Sequence, residues 1–196
     1  MRMDLGAEMG TEPGAEKARL VYLMGASGVG KDSLLGAARE RQPDWLVAHR
    51  YITRPSGHSE NCVSLTPEEF ARRRQLGLFC LDWQAHGLDY AIGIEVQAWL
   101  DSGQTVVING SRRALERARE RFGAFLLPVL ITAQPEVLRE RLIQRGRETP
   151  QEIEARLAPH RDMQDGLDGV AHIDNSGELH HGVVALQTLI AVECAS

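Results

Sequence analysis

One stretch, Gly25-Ala26-Ser27-Gly28-Val29-Gly30-Lys31, restricts the folds open to this chain more than any other. It fits G-x-x-x-x-G-K and lies between an apolar run, Leu20 to Met24, and a segment of helical pattern from about Lys31 to Gln42, stopped by Pro43. Strand, glycine-rich turn and helix, in that order, form the context in which this motif cradles phosphate. Small residues let successive backbone N–H groups converge on phosphate oxygens, and the helix N-terminus adds the positive end of its dipole. The donor-binding candidates are therefore Gly25, Ala26, Ser27, Gly28, Val29, Gly30, Lys31, Asp32 and Ser33. Lys31 is the candidate catalytic cation, with an ammonium that reaches the β- and γ-phosphates of ATP. With 19 glycines and two lysines in 196 residues, a chance match has odds of roughly one in fifty.

Composition adds to this at one point. Of 22 basic residues only Lys17 and Lys31 are lysines; the rest are arginines. Genome composition accounts for most of that bias, yet one of the two lysines falls where a compact ammonium is needed. The residue after it departs from the motif. Ser or Thr is expected there as a Mg²⁺ ligand, and the chain has Asp32, followed by Ser33. A carboxylate beside a triphosphate is repulsive unless a metal lies between them, and Mg²⁺ prefers oxygen ligands. Asp32 and Ser33 are thus candidate metal ligands; the alternative makes Asp32 a helix N-terminal carboxylate favoured by the dipole.

Elsewhere, short apolar runs alternate with helical patterns. Strands are expected at Trp45 to Ile52, Leu78 to Trp83, Thr105 to Asn109, Ala124 to Thr132 and in VAHID; Arg54 to Ser64 reads as polar loop. Helices are expected from a capping box at Thr66 to about Gln75, near Ile94 to Leu100, over Ser111 to Arg121, Pro135 to Gln144, about Pro150 to Met163 and Glu178 to Val192. This alternation implies a parallel sheet covered on both faces, an α/β fold; with the Gly25–Lys31 motif, an α/β fold of the P-loop NTPase kind is expected. Residues 1–18 read as a tail, with Met3 or Met9 as an alternative start, and 19–196 as one domain. The net charge of −5 argues against nucleic-acid and membrane partners. Three scattered cysteines, no signal-peptide core and no long apolar span place the chain in the cytoplasm.

The segments LMGASGVGKDSLL, VAHRYITR, HGLDYAIG, VVINGSRRAL, RLIQRGRE and IEARLA, over residues 20 to about 175, resemble the guanylate kinase branch of nucleoside-monophosphate kinases. Within it the chain is most similar to the ribose 1,5-bisphosphate phosphokinase family, in which Asp follows the loop lysine, as in GKDSL. The resemblance implies a guanylate kinase-like fold with a small lid and an acceptor-binding segment. It also implies ATP and Mg²⁺ as requirements and a phosphosugar as the acceptor. Ile52-Thr53-Arg54 matches the acceptor-phosphate segment of guanylate kinases. Their tyrosine falls on Cys62, their guanine-binding Glu falls near Leu81, and their two strand-end carboxylates fall on Asn109 and Ser111. The phosphate machinery is kept and the guanine reader is absent.

The resemblance further implies that Arg141 and Arg145 clamp ATP and the transferring phosphoryl group. Arg147 would open the lid and bind nucleotide, and Arg156 would return from the lid's far side to the substrate; planar guanidinium suits such contacts. The bland alternative is a helix face pairing with Glu136, Glu140 and Glu148. Arg54, Tyr90 and Asn109 complete the acceptor candidates, Tyr90 because it falls at a turn near the acceptor; a packed core tyrosine is the alternative. The arginines of 72–74 and 117–121 read as solvated faces, and no histidine spacing suits a metal. Two other functions stay open: a nucleoside-monophosphate kinase, and a nucleotide-binding interaction module without catalysis.

Overall fold

The structure, a computed structural model, describes residues 18–55, 61–146, 149–157 and 167–195, with the side chains of Arg145, Ala155 and Arg156 outside the description. The LVYLM run forms β1 (Leu20–Met24), buried along its whole length. Its side chains alternate between two cores. Val21 and Leu23 join one, and Leu20, Tyr22 and Met24 the other. A strand apolar on both faces needs cover on both, which a parallel sheet with helices on each side supplies. The sheet has the order β2 (Leu46–Val47), β7 (Val106–Asn109), β1, β8 (Leu126–Thr132), β9 (Ala171–Asp174), and every pairing in it is parallel.

On one face lie α1 (Lys31–Arg41), α5 (Pro135–Arg145), α6 (Pro150–Leu157) and α7 (Leu179–Ala195), contributing Leu34, Leu138, Leu142, Ile153, Val183 and Leu186 to the core. The other face is covered by α3 (Glu95–Asp101) and α4 (Leu115–Phe122), through Val96, Leu100, Leu115 and Phe122. It is also covered by a second sheet, ordered β4 (Cys62–Ser64), β3 (Arg50–Ile52), β6 (Leu88–Gly93), β5 (Phe79–Ala85). There β3 and β4 are parallel, and the other two pairings are antiparallel. Helix α2 (Pro67–Gln75) packs Phe70 against Phe79 of this second sheet. Thr66 caps α2 by accepting from the Glu69 N–H at 3.2 Å, while the Glu69 carboxylate bonds Arg73 instead of closing the box. A reciprocal box forms at α6, where Thr149 and Glu152 bond each other's backbone N–H.

Three expectations are corrected. Trp45 to Ile52 is not one strand: Leu46–Val47 pairs with β7, and Arg50–Ile52 pairs with β4 and β6. The ladder to the first sheet ends with Ala48 N–H donating to Val107 O, and the second begins with Arg50 N–H donating to Asn61 O. The chain passes between sheets there, so Arg50 opens the second sheet. HGLDYAIG is also more than a turn. His86 and Gly87 both have positive φ (52° and 72°) and form a two-residue hairpin joining β5 to β6. Smaller differences occur at Ser111 to Arg121, which begins as a 3₁₀ turn (Arg112–Ala114) before α4, and at Gly123–Phe125, a 3₁₀ turn before β8. The Arg54 to Ser64 segment expected as loop is corrected too, since its last three residues pair with β3 as β4. Residues 1–17, 56–60 and 158–166 lie outside the described residues, as does Arg147. Among the described residues no helix is long and apolar enough to cross a membrane.

Candidate active site

The Gly25–Lys31 loop leaves the carboxyl end of β1, the central strand of the parallel sheet, and runs into α1. Ligands of open α/β sheets bind at that end. Packing dictates glycine at two loop positions. A Cβ on Gly25 would sit 2.3 Å from Ile131 O, and one on Gly28 would meet Leu138 and Leu142 of α5 at 2.8 and 2.9 Å, both at positive φ. The loop is thus pressed against β8 and α5 with no space for a side chain. Val29 is the exception among the loop candidates. Its side chain is fully buried in the core while the others line a cleft of about 970 Å³. Val29 O is the loop's anchor, accepting from Asn175 Nδ2 at 2.7 Å and from Arg141 Nη1 at 3.4 Å.

Lys31 is half-buried and turns back under the loop, donating to Gly25 O at 2.8 Å and Ala26 O at 2.9 Å. Withdrawal from water pulls its pKa down to about 8; Asp32 opposes this shift and Arg50 adds to it. An ammonium has three protons, and two are used here. Asp32 Oδ1 accepts from Asn109 Nδ2 at 2.9 Å and from Arg50 Nη2 at 3.4 Å. The β1–β7 register sets Asn109 opposite Leu23, just before the loop. This contact joins the donor loop to the neighbouring strand, and Arg50 joins both to the second sheet. Asp32 Oδ2 carries no hydrogen bond among the described residues, and the carboxylate is 38% exposed toward the cleft. One carboxylate that can be completed by phosphate oxygens and water suits Mg²⁺, which seldom takes an all-protein cage. Ser33, exposed at the cleft one residue on, is the second oxygen available.

The structure brings Lys31, Asp32, Ser33, Arg54, Tyr90, Asn109 and Arg141 to this one cleft. Tyr90 lies flat on its cross-strand partner Trp83, centroids 5.6 Å apart and planes within 5°. Arg145 and Arg156 belong to α5 and α6 by backbone alone, and Arg147 is outside the described residues. Leu81 is buried in the core and does not reach the cleft. The arginines read as solvated faces are occupied elsewhere: Arg74 with Asp82 and Asp89, Arg117 with Asp82, and Arg119 with Glu116.

Sequence reasoning missed four cleft residues, in three places along the chain. Arg50 falls inside the expected Trp45 to Ile52 strand, and only the passage between sheets brings it to Asp32. Its side chain is 17% exposed, and its buried Nε has no hydrogen-bond partner among the described residues. Asn175 follows β9, continues that ladder through its N–H to Thr132 O, and turns its amide under the loop. Its Oδ1 lies against Gly182, where a Cβ would come within 2.7 Å. Arg112 and Arg113 form the third group, on the turn after β7.

A parallel sheet ending in a phosphate-cradling loop, faced by a second sheet that brings arginines to the loop, defines a P-loop kinase of the guanylate kinase fold. A guanylate kinase from Anaplasma phagocytophilum superposes with a TM-score of 0.71 over 92% of this chain and 88% of that one, at 15% identity. The sequence narrows the class. The chain is 48% identical to ribose 1,5-bisphosphate phosphokinase PhnN of Pectobacterium parmentieri, over 90% of this chain and 96% of that protein. It is 54% identical to the PhnN of Burkholderia pseudomallei, over 82% and 89% respectively. The chain belongs to the ribose 1,5-bisphosphate phosphokinase (PhnN) family. No protein-family profile matches it.

Proposed function

We propose that the protein transfers the γ-phosphoryl group of ATP to the 1-phosphate of ribose 1,5-bisphosphate, yielding 5-phosphoribosyl 1-diphosphate and ADP. The observation that carries this reading is the charge of the cleft. Lys31, Arg50, Arg54, Arg112, Arg113 and Arg141 line it, and Asp32 is the only carboxylate among its described lining residues. That concentration of positive charge, in a protein of net charge −5, suits two heavily phosphorylated substrates meeting in one place. The position expected of a guanine-reading carboxylate is held by buried Leu81, which supports a sugar over a guanine nucleotide. A site made to hydrogen-bond a base would lose it with large cost if that group were missing.

The reaction needs no covalent intermediate on the enzyme. An oxygen of the acceptor's 1-phosphate is already an anionic nucleophile; it bonds to the γ-phosphorus as the bond to the β–γ bridging oxygen breaks and ADP leaves. The protein's task is alignment and charge neutralisation. The loop N–H groups seat the donor phosphates, and Lys31 exchanges its carbonyl partners for their oxygens. Arg141, resting on Val29 O, flanks the donor from α5. Arg50, where the loop meets the second sheet, faces the accepting phosphate, and Tyr90 on Trp83 offers the sugar a flat apolar wall. Asp32, or Ser33 beside it, would hold Mg²⁺, which when bound neutralises phosphate oxygens.

Phosphorus NMR of the protein with Mg-ATP and either ribose 1,5-bisphosphate or GMP tests this. A pair of diphosphate doublets forming with the sugar alone is expected. Turnover of GMP at a comparable rate overturns the reading in favour of a nucleotide kinase, and no ADP from either acceptor favours a binding module.

A further inference from the structure

The proposed acceptor carries two phosphates and only one of them reacts. On the phosphotransfer reading Arg50 and Arg54 serve the reacting one and Arg141 the donor, and the cleft holds two guanidinium groups beyond these. Arg112 and Arg113 line the cleft from the 3₁₀ turn after β7, both exposed. Among the described residues neither side chain has a hydrogen-bond or ion-pair partner. Arg117, one turn further on, is by contrast tied to the Asp82 carbonyl at 2.7 Å and its carboxylate at 3.1 Å.

The turn that carries the pair is held firmly. The Tyr22 hydroxyl donates to Ser111 O at 2.8 Å and accepts from the Ser111 N–H at 3.0 Å. Ser111 Oγ in turn accepts from the Arg113 N–H at 3.3 Å. Gly110 lies so close to the Tyr22 ring that a Cβ would fall 2.2 Å from it. Burial raises the Tyr22 pKa above its ordinary value, so the hydroxyl keeps its proton and its donor role. Two unpaired cations on a pinned turn are a costly use of like charge unless an anion visits them. The turn also stands at a defined reach. Arg112 is three residues beyond Asn109, which bonds Asp32 at the loop, so at most roughly 11 Å of chain separates them. That reach is of the order of the separation between phosphates on opposite ends of a pentose.

We propose that Arg112 and Arg113 bind the non-reacting phosphate of the acceptor and so set the preference for a bisphosphorylated sugar over a monophosphorylated one. The inference rests on the phosphotransfer reading given above. Planar guanidinium groups grip a phosphate through paired N–H donors. Their contact lies away from the reacting atoms and acts through binding and alignment.

The test compares wild type, Arg112→Ala, Arg113→Ala and the double variant on ribose 1,5-bisphosphate and ribose 1-phosphate, with ATP saturating. Each single substitution is expected to lower kcat/KM for the bisphosphate by about 10- to 100-fold, the worth of a charge-assisted contact. Turnover of ribose 1-phosphate and the KM for ATP should stay unchanged, and Arg→Lys variants should recover part of the loss. Equal losses on both acceptors, or no loss on the bisphosphate, overturn the inference while the wild-type reaction stands. A wild type that leaves the bisphosphate untouched overturns the reaction itself, and the inference with it.

Discussion

Arg50→Ala should separate stability from catalysis. Among the described residues Arg50 has one ion pair, to Asp32 at 3.4 Å, with side chains 17% and 38% exposed. A partly solvated pair of that length contributes at most about 1 kcal/mol, so the melting temperature should fall by about 2–4 °C for a domain of this size. Loss of a cation aimed at charge that develops during transfer costs about 3–4 kcal/mol, or roughly 10²- to 10³-fold in kcat. A second effect comes from Lys31. Burial, chiefly, lowers its pKa, Asp32 raises it, and repulsion from Arg50 lowers it further. Removing Arg50 relieves that repulsion, so the alkaline limb of kcat/KM for ATP should move to higher pH. Measurement of ADP release from pH 6 to 10, beside calorimetry, reads all three effects, and added guanidinium should restore part of kcat. A variant within about threefold of wild-type kcat, or one whose activity loss is matched by unfolding, would refute the reasoning.

Three further predictions concern the loop. Lys31 has a folded-state pKa of about 8, below its ordinary 10.5. The unfolded chain therefore holds that proton more tightly between these values, and stability should rise as pH increases from 8 to 10.5. Lys31→Met should abolish transfer and also abolish that rise in the urea midpoint; a variant retaining both would show that the ammonium is not in this environment. Asn175→Ala removes a buried 2.7 Å bond to Val29 O, costing about 2–3 kcal/mol. It should raise the Kd for ATP more than the KM for the acceptor, and an unchanged ATP titration would remove Asn175 from loop support. Asp32→Ser should shift the Mg²⁺ concentration for half-maximal rate; an unaltered Mg²⁺ titration would leave Asp32 as a helix N-terminal carboxylate alone.

Features that depend on neighbouring residues in the chain were legible in advance. The strand–loop–helix of Leu20 to Gln42 follows from an apolar run, glycines that tolerate positive φ, and a helix start, all within 23 residues. The α2 boundary follows from Thr66 and Pro67 in the same way. The α/β class follows from apolar runs with no polar face, which only a doubly covered sheet can bury. The His86–Gly87 hairpin was equally local, since two turn residues separate alternating patterns. The match of HGLDYAIG to an acceptor turn draws attention to Tyr90 and away from that pattern.

The site's remaining members depend on partners far away in sequence. The run from Trp45 to Ile52 looks continuous because its residues all suit strands. Its division is decided by the hydrogen-bond partners available, Val107 O on one side of Ala48–His49 and Asn61 O on the other. That division alone moves Arg50 to within reach of Asp32, 18 residues away. Asn175 reaches Val29 across 146 residues because β9 pairs with β8 and α7 packs on α1. By itself, then, the sequence determined the sheet's class, the phosphate loop and the lysine within it, because backbone conformation and helix dipoles act over a few residues. Only the tertiary structure decided which arginines line the cleft and which are spent on surface carboxylates. A guanidinium's role is set by the charges that folding brings beside it, and sequence spacing carries no record of those distances.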